Sequence, residues 1–222
     1  PFAAWRPQRA FLCGSGAMNL LKILWLVCAI PAILPAAGPA NAATNLRVGA
    51  YYYPWYYEAR WTNEPVAHTP TLGKYNSGRS EIAARHIEWA TEAGLDFFLV
   101  SWLSQEGYEG RNFRRVLLPE IEKAGFRFAV LYETSLALGL QAGRPLDFAT
   151  LRADGTTAGD RFVTQFDQVA EDYLGNEHYL RYNGKAVVMI YLVRDIRNAD
   201  KYFDSVRERL GRRGIALHLV AD

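Results

Sequence analysis

The feature that most constrains the fold is an alternation. Short apolar runs at residues 47–53, 96–102, 127–133, 186–192 and 215–220 are separated by stretches with helical spacing at 80–93, 112–124, 159–173 and 199–210. In the first of these helical stretches, Ser80 is placed as the cap, Ile82, Ile87 and Ala90 recur on one stripe with His86, and Gly94 ends the helix. The run Asp-Phe-Phe-Leu-Val-Ser-Trp at 96–102 is almost continuously apolar, as a strand is when both faces of its sheet are covered. Phe162, Phe166, Val169 and Tyr173 fall on one stripe of the third helix, and Asn183-Gly184 signals a turn. Five apolar strands alternating with four helices predict a parallel α/β chain.

Two architectures satisfy that alternation, a doubly wound open sheet and a (β/α)8 barrel. No Gly-x-Gly-x-x-Gly follows a strand, which takes support from a dinucleotide-type sheet. Polar or aromatic residues close each strand instead: Tyr53, Ser101-Trp102, Tyr132-Glu133, Tyr191 with Arg194 and Asp195, and Asp222. Those ends converge on one face of a barrel, where its chemistry occurs. The expectation is therefore a partial (β/α)8 TIM barrel with about five strands present. Such barrels take about 250 residues, so 43–222 is expected to be an N-terminal portion. The stretch 134–157 is too long for a plain connection and is expected to be functional or disordered.

The N-terminal part reads as processing. Met18 opens a stretch with Lys22, an apolar run at 23–34 and an Ala40-Asn41-Ala42 cleavage signal. Residues 18–42 are thus expected to be a signal peptide, 1–17 to be upstream non-native sequence, and the product to be secreted or periplasmic, with no membrane association beyond the signal. Both cysteines, Cys13 and Cys28, precede the expected cut. That leaves no disulfide, thiolate metal site or cysteine nucleophile in the processed chain. A net charge of +2 over 222 residues gives no reason to expect a nucleic-acid partner. The charged helix at 199–210 alternates signs, as a solvated face does. Neither metal-ligand spacing nor a Gly-x-Ser-x-Gly elbow is found, and no cofactor is expected.

The densest chemical signal is the first strand end. Tyr51, Tyr52, Tyr53, Trp55, Tyr56 and Tyr57 crowd around Pro54, where the missing N–H stops a ladder. Aromatics at a strand mouth suit a wall for the apolar faces of sugar rings; the alternative is core packing. His68 stands in the Pro-rich loop beside that wall and Trp102 at the next strand end, both candidates for sugar contact. His86 is expected to be a hydrogen-bonded core residue, Ser101 a structural hydroxyl of the cleft lining, and Asp195 a surface partner of Arg194 or Arg197. Glu133 ends an apolar strand and is the best carboxylate for chemistry, its pKa raised by desolvation.

Tyr52-Tyr53-Pro54-Trp55-Tyr56, Gly73-x-Tyr75-x-Ser77, His86, Ala93-Gly94-Leu95-Asp96, Ser101-Trp102, Tyr132-Glu133 and Asn183-Gly184-Lys185 occur in this order. Together they resemble glycoside hydrolase family 99 and its family-99-like relatives. The resemblance implies a (β/α)8 barrel and an endo-acting α-mannosidase with an oligosaccharide or polysaccharide substrate. It implies that Tyr52, Tyr53, Trp55 and Tyr56 face sugar, that Trp102 lines a subsite, and that Glu133 bonds substrate hydroxyls beside Tyr132 and Tyr191. The family's acid and base carboxylates would fall after Asp222. Leu103 and Thr134 depart from the family pattern, which has an aromatic at the first position and an aromatic or proline near the second. A non-catalytic glycan-binding or polysaccharide-assembly protein on the same scaffold is the alternative reading.

Overall fold

The computed structural model describes residues 46–63 and 68–221. The expected signal peptide, the upstream segment and Asp222 lie outside the described residues. Five parallel strands form the sheet: β1 (Gly49–Tyr52), β2 (Phe97–Trp102), β3 (Arg127–Tyr132), β6 (Lys185–Ile190) and β8 (Leu217–Ala221). A short β5 (Arg181–Tyr182) adds to β6 as an antiparallel hairpin. Its turn puts Asn183 and Gly184 both at positive φ, the two-residue geometry whose twist matches the flanking strands.

The parallel strands run in chain order without reversal. That is the order of a barrel wall, not of a doubly wound sheet, in which the order doubles back. Successive right-handed crossovers then place the helices on one face. They are α2 (Ser80–Glu92), a continuous helical run comprising α3 (Tyr108–Asn112), a π turn (Phe113–Leu117) and α4 (Leu118–Ala124), then α6 (Ala158–Val169) with a π turn (Ala170–Leu174), and α7 (Asp200–Arg212). The helix-facing strand residues Phe98, Val100, Phe128, Val130, Ala186, Val188 and Ile190 are buried. Phe113 and Tyr173, one from each π turn, stack at 4.2 Å against this layer. The opposite face carries Tyr51, Leu99, Val187 and Met189, all at least partly open.

Between β3 and β8, the N-terminal half of β6 stands off from β3, and Tyr179 fills the gap. Its hydroxyl accepts from the Val130 N–H at 3.1 Å and donates to the Val187 carbonyl at 2.7 Å. The stretch after β3 is ordered by a one-turn helix, α5 (Thr134–Leu138), and by β4 (Leu146–Asp147) paired with β7 (Ile196–Arg197). Thr157 caps α6 through a reciprocal bond with Asp160, and the Thr157 hydroxyl also meets the Tyr202 hydroxyl of α7 at 3.1 Å.

The structure corrects several details. Ser80 is the first helical residue, and Arg79 occupies the cap position without a side-chain bond. The helical run preceding β3 starts at Tyr108, four residues before expectation, where Gly110 lets it pack against the Ser104 carbonyl. A helix that the spacing does not announce, α1 (Glu58–Asn63), follows the aromatic stretch directly. Apart from these corrections, Asp195 accepts the Gly143 amide at 3.0 Å, tying the excursion after β3 to the loop after β6.

Candidate functional site

Strand parity decides which expected residues share a place. In β2, Ser101 and Trp102 are neighbours and must point to opposite faces. Trp102 turns to the helices, has no solvent exposure, and stacks on Tyr132 at 5.6 Å. Tyr132 is equally enclosed between Phe162 and Phe166, with its hydroxyl donating to Gln165 Oε1. Tyr52 likewise packs on Phe98 at 4.7 Å, and its hydroxyl meets His86 Nδ1 at 3.1 Å. Trp102 and Tyr132 are therefore core residues, not cleft lining: they stand near a strand end, but the pleat sends them inward. Tyr52 packs inward as well, yet its ring also borders a cavity beside β1. His86 makes the hydrogen bond expected of it but is half-buried at the cavity wall instead of in the core, and burial lowers its pKa.

The residues of opposite parity gather. Ser101 Oγ donates to Glu133 Oε1 at 3.0 Å. The Glu133 N–H donates to the Trp102 carbonyl, and its carbonyl accepts from Leu136 and Ala137 as the chain turns into α5. The carboxylate is thus held at the junction of β3 and α5 with 6% exposure for the residue. Burial raises its pKa, and the Ser101 hydrogen bond partly opposes that shift. Tyr53 is half-buried; burial first, then the charge of Glu133 and the nearby Tyr51 and Tyr191 hydroxyls, raise its pKa. Tyr191 is brought in by β6, where its N–H donates to the Tyr132 carbonyl and its own carbonyl accepts from Thr134 Oγ1. Tyr53, Ser101, Glu133 and Tyr191 thus come from four consecutive parallel segments at the carboxyl ends of the sheet.

An aromatic platform extends this group. Tyr53 stacks on Trp55 at 4.7 Å, and the Arg60 guanidinium of α1 lies 4.4 Å over the Trp55 ring. Tyr56 stacks on Trp61 at 4.3 Å. Tyr75, from the Gly-x-Tyr-x-Ser segment, packs edge-on against Tyr56, Trp61 and His86, and its pKa is pushed up to about 12 by burial and by Tyr56. A cavity of about 370 Å³ runs beside β1, lined by Tyr51, Tyr52, Tyr53, Tyr75, His86 and Trp89 among others. Glu133 does not line it; Tyr53 belongs to both the cavity and the surroundings of the carboxylate. His68 is exposed, and the four residues before it are outside the described residues. Sequence reasoning missed Arg60 and Trp61, whose signal was available: both follow the aromatic run at one-turn spacing from Tyr56 and Tyr57.

A parallel sheet in chain order, a carboxylate at a strand end and an aromatic platform beside it can hold a polyol, with ring faces on the aromatics and hydroxyls on Glu133. Comparison with solved structures agrees with that architecture. The chain aligns with a protein described as glycoside hydrolase-like at a TM-score of 0.59 and 25% identity, over 79% of this chain and 51% of the other. It carries a glycoside hydrolase-like fold. A GH99 endo-alpha-mannosidase from Bacteroides thetaiotaomicron, solved with Bis-Tris propane, aligns at a TM-score of 0.52 and 21% identity, over 68% of this chain and 43% of that enzyme. The chain therefore spans about half the length of these two structures or less. No protein-family model and no curated protein sequence matches it.

Proposed function

We propose that this chain is the N-terminal portion of an exported glycoside hydrolase acting on α-mannose-containing glycans. The observation that carries the reading is Glu133: a carboxylate enclosed at the end of a parallel strand, bonded by Ser101 and facing Tyr53 beside the Trp55 platform. Cleavage of a glycosidic bond needs two carboxyl groups about the scissile bond. Glu133 is the carboxylate whose charge reaches Tyr53, and its role is to hold sugar hydroxyls and to orient the ring. The acid and base come, in this reading, from βα units that complete the barrel. The solved endo-alpha-mannosidase with the same fold supports the choice of sugar.

The test is hydrolysis of α-mannosyl oligosaccharides by the whole protein and by Glu133→Gln. Losing a hydrogen bond to a charged acceptor costs about 1.5–3 kcal/mol, so kcat/KM is expected to fall by about 10- to 150-fold. Unchanged kinetics would remove Glu133 from the site. The second reading is a glycan-binding protein without turnover, for which the Tyr53–Trp55 platform and the enclosed Glu133 supply ring stacking and a hydroxyl acceptor. Saturable binding of a mannosyl oligosaccharide, lost in Trp55→Ala, with no product formed by the whole protein, would select it.

A further inference from the structure

The segment from Pro54 to Tyr57 carries the platform, yet it belongs to no strand and precedes α1. Two contacts from distant parts of the chain fix it. On one side, Ser77 grips Tyr56 twice: the Tyr56 N–H donates to Ser77 Oγ at 3.1 Å, and the Ser77 N–H donates to the Tyr56 carbonyl at 2.8 Å. On the other side, Asn112 donates from Nδ2 to the Pro54 carbonyl at 2.9 Å, across 58 residues of sequence. Asn112 is buried, at 8% exposure, and sits on the last turn of α3 where the helix widens into the π turn at Phe113. The two grips are themselves joined. Tyr108, one turn before Asn112, donates to Asn76 Oδ1 at 2.8 Å, and Asn76 Oδ1 also accepts the Gly78 N–H at 2.7 Å. A methyl group on Gly78 would stand 3.2 Å from Asn112 Oδ1, so the 76–78 turn and Asn112 are in close approach.

The consequence concerns geometry at the ligand. Pro54 lies between Tyr53 and Trp55, the stacked pair beside Glu133. A carbonyl pulled toward α3 sets the direction in which the chain leaves β1, and hence the tilt of Trp55 over Tyr53 and under Arg60. The widened turn supplies the reach, since π turns displace side chains from ordinary helical positions and are frequent at functional sites. Resting on the glycan reading above, we propose that Asn112 is a positioning residue, assisted by Ser77, that holds the Tyr53–Trp55 platform at the angle required for a sugar ring bound against Glu133. Asn112 touches no ligand in this role; it acts through the Pro54 carbonyl.

The test uses the whole protein labelled with 5-fluorotryptophan, with the Trp55 and Trp102 resonances assigned by Trp55→Phe and Trp102→Phe. Asn112→Ala removes the donor and the volume, whereas Asn112→Asp keeps the shape and replaces the N–H donor with an acidic oxygen facing the Pro54 carbonyl. Both are expected to shift or broaden the Trp55 line and leave the Trp102 line in place, and both are expected to weaken α-mannobiose binding by about tenfold, the worth of one net hydrogen bond. In the whole protein, KM should rise with kcat nearly unchanged. A folded Asn112→Asp with an unmoved Trp55 line and unchanged affinity overturns the proposal. Should both variants fail to fold, Ser77→Ala gives the decision: an unmoved Trp55 line there overturns it equally. Absence of α-mannobiose binding by the unmodified whole protein would instead remove the glycan reading, while the Trp55 line still decides whether Asn112 positions the platform.

Discussion

At the scale of single residues, environment separates groups that stand side by side. Ser101 reaches the carboxylate, and Trp102 is buried on the far side of the same strand. Trp102→Ala should therefore act on stability, costing about 3–5 kcal/mol as large core truncations do; a denaturation midpoint within error of the parent would refute the core assignment. Glu133 carries a pH signature. Its folded pKa lies above the ordinary 4.5, so the fold favours the protonated acid. That stabilisation is complete below pH 4.5 and is lost as pH rises through the folded value. Relative to Glu133→Gln, which cannot ionise, the parent should weaken as pH rises from about 4 toward 7. Denaturant midpoints that run parallel for the two proteins across that range would contradict the burial effect. His86 runs the other way, since burial lowers its pKa and acid is expected to force a charge onto it.

At the scale of elements, most of the order was legible, and the misses have physical causes. All five parallel strands and the four main helices are present, because apolar runs and helical stripes of that length leave few alternatives. The expected stripe of Phe162, Phe166, Val169 and Tyr173 is buried as a unit. What failed was orientation at strand ends. Position along the strand points Trp102 and Tyr132 at the cleft, whereas their face depends on where the pleat begins, which nearby sequence does not reveal. The short α1 escaped because six residues carry too little periodicity, and the Ser80 cap because a hydroxyl one residue away serves equally well as a signal. A further case pits two local effects against each other at Gly159 in α6. Alanine would gain about 1 kcal/mol of helix propensity, but its methyl would stand 2.4 Å from the buried Tyr202 ring. The steric effect should win, with Gly159→Ala losing about 1–3 kcal/mol, read from thermal unfolding. A rise in Tm would mean that Tyr202 moves aside freely.

At the scale of the whole molecule, the sheet has a packed centre and two strands with unpaired edges. β3 lies between β2 and β6, whereas β1 and β8 each pair on one side among the described residues. Val48 directs its backbone toward Asp96, so the groups of Gly49 and Tyr51 point outward along the free edge. Amide exchange should therefore be slowest in Ala129–Leu131 and fast at Gly49 and Tyr51; slow exchange at Tyr51 would mean that something covers that edge. We also propose export with cleavage after Ala42, which N-terminal sequencing of the secreted product would test: a mature protein beginning before residue 30 would refute it. The placement of every crossover on one side has a consequence for adaptation. Residues that grip the helices and residues that meet a ligand occupy separate alternating positions along each strand, so a new binding preference can be written at Tyr53, Ser101 or Tyr191 while the interior mosaic of Phe, Val and Ile stays as it is.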